Sequence, residues 1–241
     1  GWASWRRNVL LPMSFIKTYY DGAALARQMK IDYLDAAGFQ TWTQYQQGNG
    51  ACGLDSGWDS DEELRGGTVV RDRWAGNDYG LVVWFGHGAT TYWADGPPFY
   101  QTDINNLTNT GEYPVVFSFA CVTGTYTLDE CFTETWIRGE DKGAVGIYGS
   151  SVNSYWTEDA ILEKRLFDAI YDLDDDVPSE VGPVWNDTRM RYLAEMGSGS
   201  TTRRYFEMYN LLGDPALLYL GTTVIDGLRA ICEVWPAGVI D

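Results

Sequence analysis

Short apolar runs alternate along the chain with segments in which apolar residues recur every three or four positions. The runs at residues 8–14, 39–45, 81–85, 115–119 and 143–149 predict buried strands. We expect Pro12 to place the first strand at a sheet edge or to mark a bulge, because proline cannot donate a ladder hydrogen bond. The alternation of strands and helices predicts an α/β fold with three layers, α/β/α, and a mostly parallel central sheet.

The segments between these runs predict helices. Asp21 can cap a helix whose apolar positions Leu25, Met29 and Tyr33 precede an end before Gly38. The sequence Thr-Leu-Asp-Glu at 127–130 matches a capping box. It predicts a helix ending at Gly139 that buries four side chains, those of Leu128, Cys131, Phe132 and Trp136. Further helices are predicted at 103–107, 157–170 and 188–196.

Other segments lack a periodic pattern. Residues 49–67 and 172–178 are rich in Gly or Asp and predict loops, and 197–200 predicts a flexible link. The periodicity is also lost after Gly221. We therefore expect residues 1–220 to form one domain, and residues 221–241 to be a tail or the start of a following module.

Length, charge and cysteine content limit the possible functions. The chain has 241 residues, of which 45% are hydrophobic, so it can bury a substantial core. Its formal net charge of −17 repels phosphates, and we expect no nucleic acid partner. No apolar stretch approaches the ~20 residues needed to span a bilayer. The four cysteines have no C-x-x-C spacing, which makes a structural zinc site or a disulfide scaffold a poor explanation.

Two residues of catalytic interest each follow a predicted strand. His87, the only histidine, follows the run at 81–85, and Cys121 follows the run at 115–119. The 33 residues between them are about the length of one β-α-β crossover, which places two parallel strands close together. Because the carboxyl ends of such strands border the crevice where α/β sheets bind ligands, we expect both side chains to face one crevice.

This pair suits nucleophilic catalysis, although each residue alone has an ordinary explanation. A thiolate is a strong nucleophile, and an imidazolium can protonate a leaving amine. Gly88 and Gly124 leave the backbone uncrowded, so nearby amides could stabilise an oxyanion. Against this, free cysteine is among the most often buried residues. A phosphate-binding loop is another interpretation of Gly-His-Gly at 86–88, but no lysine or helix cap supports it.

Six motifs follow one another between Leu81 and Leu218. They are Gly-His-Gly at 86–88, Asp-Ile-Asn-Asn-Leu at 103–107, Phe-Ala-Cys-Val-Thr-Gly at 119–124, Cys-Phe-Thr-Glu at 131–134, Gly-Ala-Val at 143–145 and Gly-Asp-Pro-Ala-Leu-Leu at 213–218. Jointly they resemble the gingipain family of cysteine peptidases. The resemblance implies a caspase-like fold for residues 1–220, with the amino-terminal portion of the family's catalytic unit missing before Gly1.

The resemblance also implies roles for particular residues. His87 and Cys121 would form the catalytic dyad, and the amides of Gly88 and Cys121 would form the oxyanion hole. Residues 150–156 resemble the segment that walls the primary specificity pocket, which implies substrate binding by Tyr155 and Trp156. Such aromatic residues are more commonly ordinary core or rim residues. A secreted or cell-surface location, a peptide or protein substrate, and an adjoining immunoglobulin-like module or processed partner segment are implied as well.

Two features of the family have no clear match in the sequence. Gingipains carry one acid that orients the histidine and another that selects a basic substrate residue; the candidates are Asp32, Asp35, Asp55 and Asp59, each also explained as a plain surface carboxylate. The family's calcium sites suggest a structural calcium ion, with possible ligands Asp55, Asp59, Asp61 and Glu62. Their spacing matches no EF-hand, so we favour a solvated acidic loop. The chemistry itself requires no cofactor.

The sequence therefore predicts a secreted cysteine endopeptidase that forms an acyl-enzyme at Cys121, with His87 as general acid and base. We expect a preference for Arg or Lys before the scissile bond. One alternative is a transamidase or peptide ligase that uses the same dyad. The other is a non-catalytic adhesion or carbohydrate-binding module, suggested by the 11 Trp and 16 Tyr residues.

Overall fold

The computed structural model describes residues 8–13, 15–16, 20–35, 38–46, 62–64, 79–94, 98–171 and 180–217. In chain order its strands and α-helices are β1 (Asn8–Met13), β2 (Phe15–Ile16), β3 (Tyr20–Asp21), α1 (Gly22–Met29), β4 (Gln40–Gln46), β5 (Glu62–Leu64), β6 (Leu81–Phe85), β7 (Gly88–Ala89), β8 (Tyr92–Trp93), β9 (Phe99–Tyr100), α2 (Gln101–Asn105), β10 (Val115–Phe119), α3 (Phe132–Arg138), β11 (Gly146–Ser150), α4 (Trp156–Tyr171), α5 (Val181–Met196), α6 (Ser200–Met208) and β12 (Tyr209–Gly213). A π-helical segment, Lys30–Leu34, continues α1.

The central sheet has the strand order β12-β11-β10-β6-β1-β4-β5. Neighbouring strands are parallel except for β11 and β12, which are antiparallel. The predicted α/β fold with a mostly parallel sheet is therefore confirmed. Phe85 is in register with Met13 on one side and with Phe119 on the other. The carboxyl ends of the three central strands consequently lie at the same edge of the sheet.

Both faces of this sheet are covered, which explains why β6 is apolar at every position and β10 is apolar at every position except Ser118. Successive side chains of a strand point to opposite faces. Leu81, Val83 and Phe85 join the larger core with apolar residues of α1, α4, α5 and α6. Val82 and Trp84 join the smaller core with residues of α2 and α3. The result is the predicted α/β/α layering.

Aromatic rings build much of the smaller core. The rings of Trp84 and Trp93 are stacked with centroids 4.7 Å apart, and Trp93 also contacts Phe132 and Trp136. Trp93 is fully buried, and its indole N–H donates a 2.8 Å hydrogen bond to Oγ of Ser118. A buried donor is thereby satisfied, and β8 is tied to β10.

The prediction that Pro12 marks an edge strand or a bulge is wrong. Strand β1 lies between β4 and β6, and its register with each of them is continuous. The sequence pattern also misses two short edge strands, β5 and β12. β5 pairs with β4 inside the segment 49–67 that was expected to be a loop, and its residues Glu62–Leu64 carry no apolar run. The remaining residues of that segment, the predicted loop at 172–178 and the tail at 221–241 lie outside the described residues.

The predicted capping box at residues 127–130 is also wrong. Helix α3 begins at Phe132, and its capping box is formed by Cys131 and Glu134, where the Cys131 N–H donates to Oε2 of Glu134 at 2.7 Å. Leu128, expected to be buried, is 43% exposed. A tertiary contact decides the helix start, because the Phe132 N–H donates to the Thr90 carbonyl at 2.7 Å.

The remaining helix predictions hold with shifted ends. Helix α1 begins directly after Asp21, Leu25 and Met29 are buried, and α3 ends before Gly139 as expected. The predicted flexible link at 197–200 is one residue shorter than expected, because α6 already begins at Ser200. No helix among the described residues is long and apolar enough to cross a membrane.

One carboxyl group is buried in the larger core. Glu163 on α4 has no exposed surface, and neither of its side-chain oxygens has a hydrogen-bond partner among the described residues. Burial raises the pKa of Glu163 well above its ordinary value, and the nearby Asp159 carboxylate adds to this effect. Glu163 is consequently held in its neutral form, at a cost in stability.

We expect Glu163→Met to raise the free energy of unfolding, by an amount that grows with pH. The folded chain keeps this carboxyl protonated where the unfolded chain ionises it. Between the ordinary glutamate pKa and the raised one, the contribution of Glu163 therefore lowers the stability by up to about 1.4 kcal/mol per pH unit. Methionine has a similar volume and removes this dependence. Urea unfolding at about pH 5 and about pH 7 measures the difference. The exposed Glu140→Met is the control, and an equal gain at both pH values would contradict a neutral Glu163.

Candidate active site

His87 lies in the loop that leaves the carboxyl end of β6. The loop continues into β7, which pairs with β8, and the Ala94 N–H donates to the His87 carbonyl at 3.0 Å. His87 is exposed. Its imidazole stands edge-on to the indole of Trp156, with ring centroids 4.7 Å apart and planes at 82°. Trp156 in turn packs on Phe85 at 5.5 Å, so the last residue of β6 supports the ring that orients the histidine.

Cys121 lies in the turn that leaves the carboxyl end of β10. The turn is held against the end of β11 by two backbone hydrogen bonds, from the Val122 N–H to the Val152 carbonyl at 3.1 Å and from the Gly124 N–H to the Ser150 carbonyl at 2.9 Å. Val122 has φ = 51°. A β-branched residue is a genuine outlier in this region, so the turn carries backbone strain directly beside the thiol.

The two loops are in close contact through Gly88. A Cβ added at this position would lie 2.6 Å from the Cys121 carbonyl oxygen and 2.8 Å from atoms of both Ala120 and Thr123. The Gly86 N–H also donates to the Phe119 carbonyl at 3.2 Å. The structure therefore brings together the His87 and Cys121 segments that the strand pattern placed at one edge. Only a glycine allows the first backbone to approach the second this closely.

A series of hydrogen bonds connects the Cys121 turn to the neighbouring elements of the smaller core. Oγ of Ser118, which accepts the Trp93 indole bond, lies 3.1 Å from Oγ1 of Thr123, and both residues are buried. The Thr123 carbonyl then accepts from the Thr133 N–H of α3 at 3.1 Å. The hairpin after His87, strand β10 and helix α3 are thus all connected to the same turn.

The two cysteines of the described part of the chain have different environments. Cys121 and Cys131 are both free thiols, and Cys121 is half-buried while Cys131 is fully buried. The sulfur of Cys121 accepts a hydrogen bond from the Ser154 N–H at 3.3 Å. Burial raises the pKa of the Cys131 thiol, which lies 3.2 Å from Oγ1 of Thr133. Cys131 is therefore the less reactive of the two thiols.

The loop between β11 and α4 borders the thiol. Tyr155 is 48% exposed, and the guanidinium of Arg204 lies over its ring at 5.4 Å. Arg204 also donates to the Asn153 carbonyl at 2.9 Å. One face of Tyr155 is therefore already occupied by a cation, whereas Trp156 faces the imidazole of His87.

A buried carboxyl group behind this loop was not a candidate from the sequence. Asp159 is 3% exposed and accepts a 2.6 Å hydrogen bond from Oγ of Ser154. In the sequence it resembles an ordinary acid in the first turn of a helix, which favours such residues through the helix dipole. Asp159 differs from such an acid because residues far along the chain bury it, and the sequence pattern does not predict this burial.

Two of the candidate acids lie far from the site. The backbone carbonyl of Asp35 accepts the Gly38 N–H just before β4 begins, at the sheet edge opposite His87, and the Asp35 carboxylate pairs with Lys30 at 2.9 Å. Asp32 is exposed on the same π-helical segment. Both are surface carboxylates, and neither can orient His87. The other candidates, Asp55, Asp59 and Asp61, lie outside the described residues, and Glu62 is described only as part of β5. No metal-binding group of His, Cys, Asp or Glu occurs in the described part of the chain.

The sequence matches peptidase family C25 over residues 3–219. The chain belongs to this family. Lys-gingipain of Porphyromonas gingivalis is 40% identical over 81 residues, which cover 33% of this chain and 5% of that protein. Gingipain R2 of the same organism is 36% identical over 81 residues, covering 32% of this chain and 11% of that protein. The resemblance to gingipains is thereby confirmed.

A solved structure confirms the fold. The Arg-specific cysteine proteinase gingipain R superimposes with a TM-score of 0.74 at 20% identity, covering 89% of this chain and 48% of that chain. The complex of the pro- and mature domains of Porphyromonas gingivalis RgpB superimposes with a TM-score of 0.72. The predicted caspase-like arrangement is therefore the observed one. The chain spans about half the length of these solved relatives, and its matches cover 5% and 11% of the two curated ones.

We expect Gly88→Ala to lower the free energy of unfolding by about 1–3 kcal/mol, because the new methyl group would overlap the Cys121 carbonyl oxygen. Gly199→Ala is the control, since a Cβ there meets nothing within 4 Å. Urea unfolding of both variants provides the comparison. Equal effects at the two positions would contradict the close approach of the two loops.

Proposed function

We propose that this chain is the catalytic part of a secreted cysteine endopeptidase with Cys121 as nucleophile and His87 as general acid and base. The observation that carries this proposal is the contact between the two strand-end loops, in which the Gly88 backbone meets the Cys121 turn. A half-buried free thiol and an exposed imidazole thereby share one edge of the sheet. Membership of family C25 supports the same chemistry.

The reaction follows two steps. His87 first takes the proton of the Cys121 thiol. The sulfur attacks the carbonyl carbon of the scissile bond, a C–S bond forms as the C–N bond breaks, and His87 gives that proton to the leaving amine. Water then attacks the thioester and gives a proton to His87, and as the C–S bond breaks to release the acid, His87 returns this proton to the sulfur. Neither step needs a cofactor; a structural calcium ion near Asp55, Asp59, Asp61 and Glu62 remains a proposal based on the family.

The backbone amides of Gly88 and Cys121 are the proposed oxyanion hole. Both belong to the pair of loops in contact, and each donor of this kind typically contributes about 3 kcal/mol to transition-state stabilisation. Tyr155 and Trp156 are the proposed wall of the pocket for the residue before the scissile bond. Trp156 serves a second purpose, because its indole restricts the imidazole that must reach the leaving amine.

The same acyl-enzyme could pass its acyl group to an amine, which would make the protein a transamidase or ligase. The exposure of His87 favours hydrolysis, because water has free access to the thioester. A non-catalytic binding module is disfavoured by family membership. The proposed partners are peptide or protein substrates and an adjoining immunoglobulin-like module or processed segment, and the proposed location is outside the cell or on its surface.

We expect Cys121→Ala to abolish peptide hydrolysis without unfolding the chain, and His87→Ala to slow turnover by at least ~100-fold with little effect on KM. Iodoacetamide should label Cys121 faster than Cys131, because Cys131 is buried. Peptide mass spectrometry measures the labelling of each cysteine. Cys131→Ala is the matched control and should keep its activity. Near-normal turnover in either Cys121→Ala or His87→Ala would refute the dyad.

We also expect cleavage after Arg or Lys. The names of two relatives carry these specificities, the chain has a net charge of −17, and an aromatic wall can hold a cation. A positional-scanning peptide library measures the preference directly. Asp55→Asn and Asp59→Asn test the remaining candidate acids, with Asp35→Asn, at the opposite sheet edge, as control. Preferential cleavage after Asp or after uncharged residues would contradict this specificity.

A further inference from the structure

The dyad chemistry leaves the buried carboxyl group of Asp159 without a role. Its Oδ2 accepts from Oγ of Ser154 at 2.6 Å, and its Oδ1 accepts from the hydroxyls of Tyr209 at 2.7 Å and Tyr205 at 3.1 Å. These donors come from the loop beside Cys121, from β12 and from α6. Asp159 is thus a buried junction between the loop that borders the thiol and the last described elements of the domain.

Ser154 connects this junction to the sulfur. Its hydroxyl proton is directed to Asp159, so its backbone N–H is the donor that faces Sγ of Cys121, at 3.3 Å. Oγ of Ser154 lies 3.8 Å from the same sulfur and its carbonyl oxygen lies 3.6 Å away. Every polar group of Ser154 is therefore engaged either by the thiol or by Asp159.

The next residue of the loop is held by the same junction. The Tyr155 N–H donates to the Tyr205 hydroxyl at 2.8 Å, and the Asp159 N–H donates to the Tyr155 carbonyl at 2.8 Å. The single hydroxyl proton of Tyr205 is shared between Asp159 and the Tyr155 carbonyl, both at 3.1 Å. Asp159 thus sets the position of two consecutive loop residues.

We propose that Asp159 is a positioning residue for Cys121, which acts through the side chain of Ser154 to hold the Ser154 amide against the sulfur. The amide then stabilises the thiolate that the proposed peptidase reaction requires, so this inference rests on the proposed function. A hydrogen bond to a charged group is stronger than one to a neutral group, and its alignment determines how much it contributes.

The surroundings of Asp159 favour an ionised carboxylate only near and above neutral pH. Burial raises the pKa of Asp159 to about 7, and this effect outweighs the three hydroxyl donors, which lower the pKa. Glu158 and Glu163 on its own helix are further acids near it, and Tyr192 of α5 faces it along with Tyr205 and Tyr209. Below this pKa the protonated carboxyl becomes a donor at one oxygen, so one of its three neighbours loses its acceptor. The positioning effect should therefore be greatest above about pH 7.

The test is the pH profile of iodoacetamide alkylation at Cys121, read by peptide mass spectrometry, which needs no substrate. For Asp159→Asn and for Ser154→Ala we expect the midpoint of the profile to rise by about one pH unit and the rate near pH 7 to fall about threefold. The double variant should be no slower than the slower single variant, because both substitutions interrupt one connection. Ser154 is half-buried in a loop whose neighbouring residues are exposed, so its variant keeps the test available if Asp159→Asn does not fold.

Glu163→Met is the control, because it removes a buried carboxyl from the same helix and should leave the profile unchanged. A wild-type profile in Asp159→Asn, or losses that multiply in the double variant, would overturn the proposal. Peptide hydrolysis by the unmodified chain is measured in parallel. Hydrolysis with unchanged profiles refutes only the role of Asp159, whereas shifted profiles without hydrolysis refute only the proposed function.

Discussion

The in-register parallel pairing of β6 and β10 is the constraint on which the candidate site depends. Phe85 and Phe119 are paired at the ends of these strands, so the chain leaves both strands at the same height and at the same edge. The loops carrying His87 and Cys121 therefore begin next to each other and are in contact. Val83 packs in the larger core and Trp84 in the smaller one. A shift in register of one residue would exchange the faces of such side chains, and this exchange would be energetically costly.

The polar contacts around the site extend this constraint to the loops. On one side, the Trp93–Ser118–Thr123 chain ties the hairpin after His87 to the Cys121 turn. On the other side, Ser154 and Asp159 tie the same turn to α4, α6 and β12. Each buried polar group in these chains has a partner, and such satisfied networks favour one arrangement over others. Val122, with its strained backbone, lies in the turn that both sets of contacts stabilise.

The sequence was sufficient to predict a mostly parallel sheet, its two covered faces and the proximity of the His87 and Cys121 loops. These features depend on apolar runs, which are local, and on the geometry of β-α-β crossovers, which is general to parallel strands. It was insufficient for the start of α3, which a hydrogen bond to Thr90 decides, and for the partners of Pro12, which depend on strand order. Asp159 could not be identified either, because its burial comes from Tyr205 and Tyr209, far along the chain.

That sequence separation has a consequence for how the protein matures. Cys121 is 33 residues from Ser154, but Asp159 is 46 residues from Tyr205 and 50 from Tyr209. The longer separation adds only about 0.3 kcal/mol to the cost of loop closure, but the Asp159 contacts need residues of α6 and β12, which are synthesised after β6 and β10. During synthesis, β6 and β10 can bring the histidine and the cysteine together before β12 has been made. Under the proposed role of Asp159, the loop beside the thiol reaches its final position only when β12, the last described strand, has docked, so full reactivity of the thiol waits for that step.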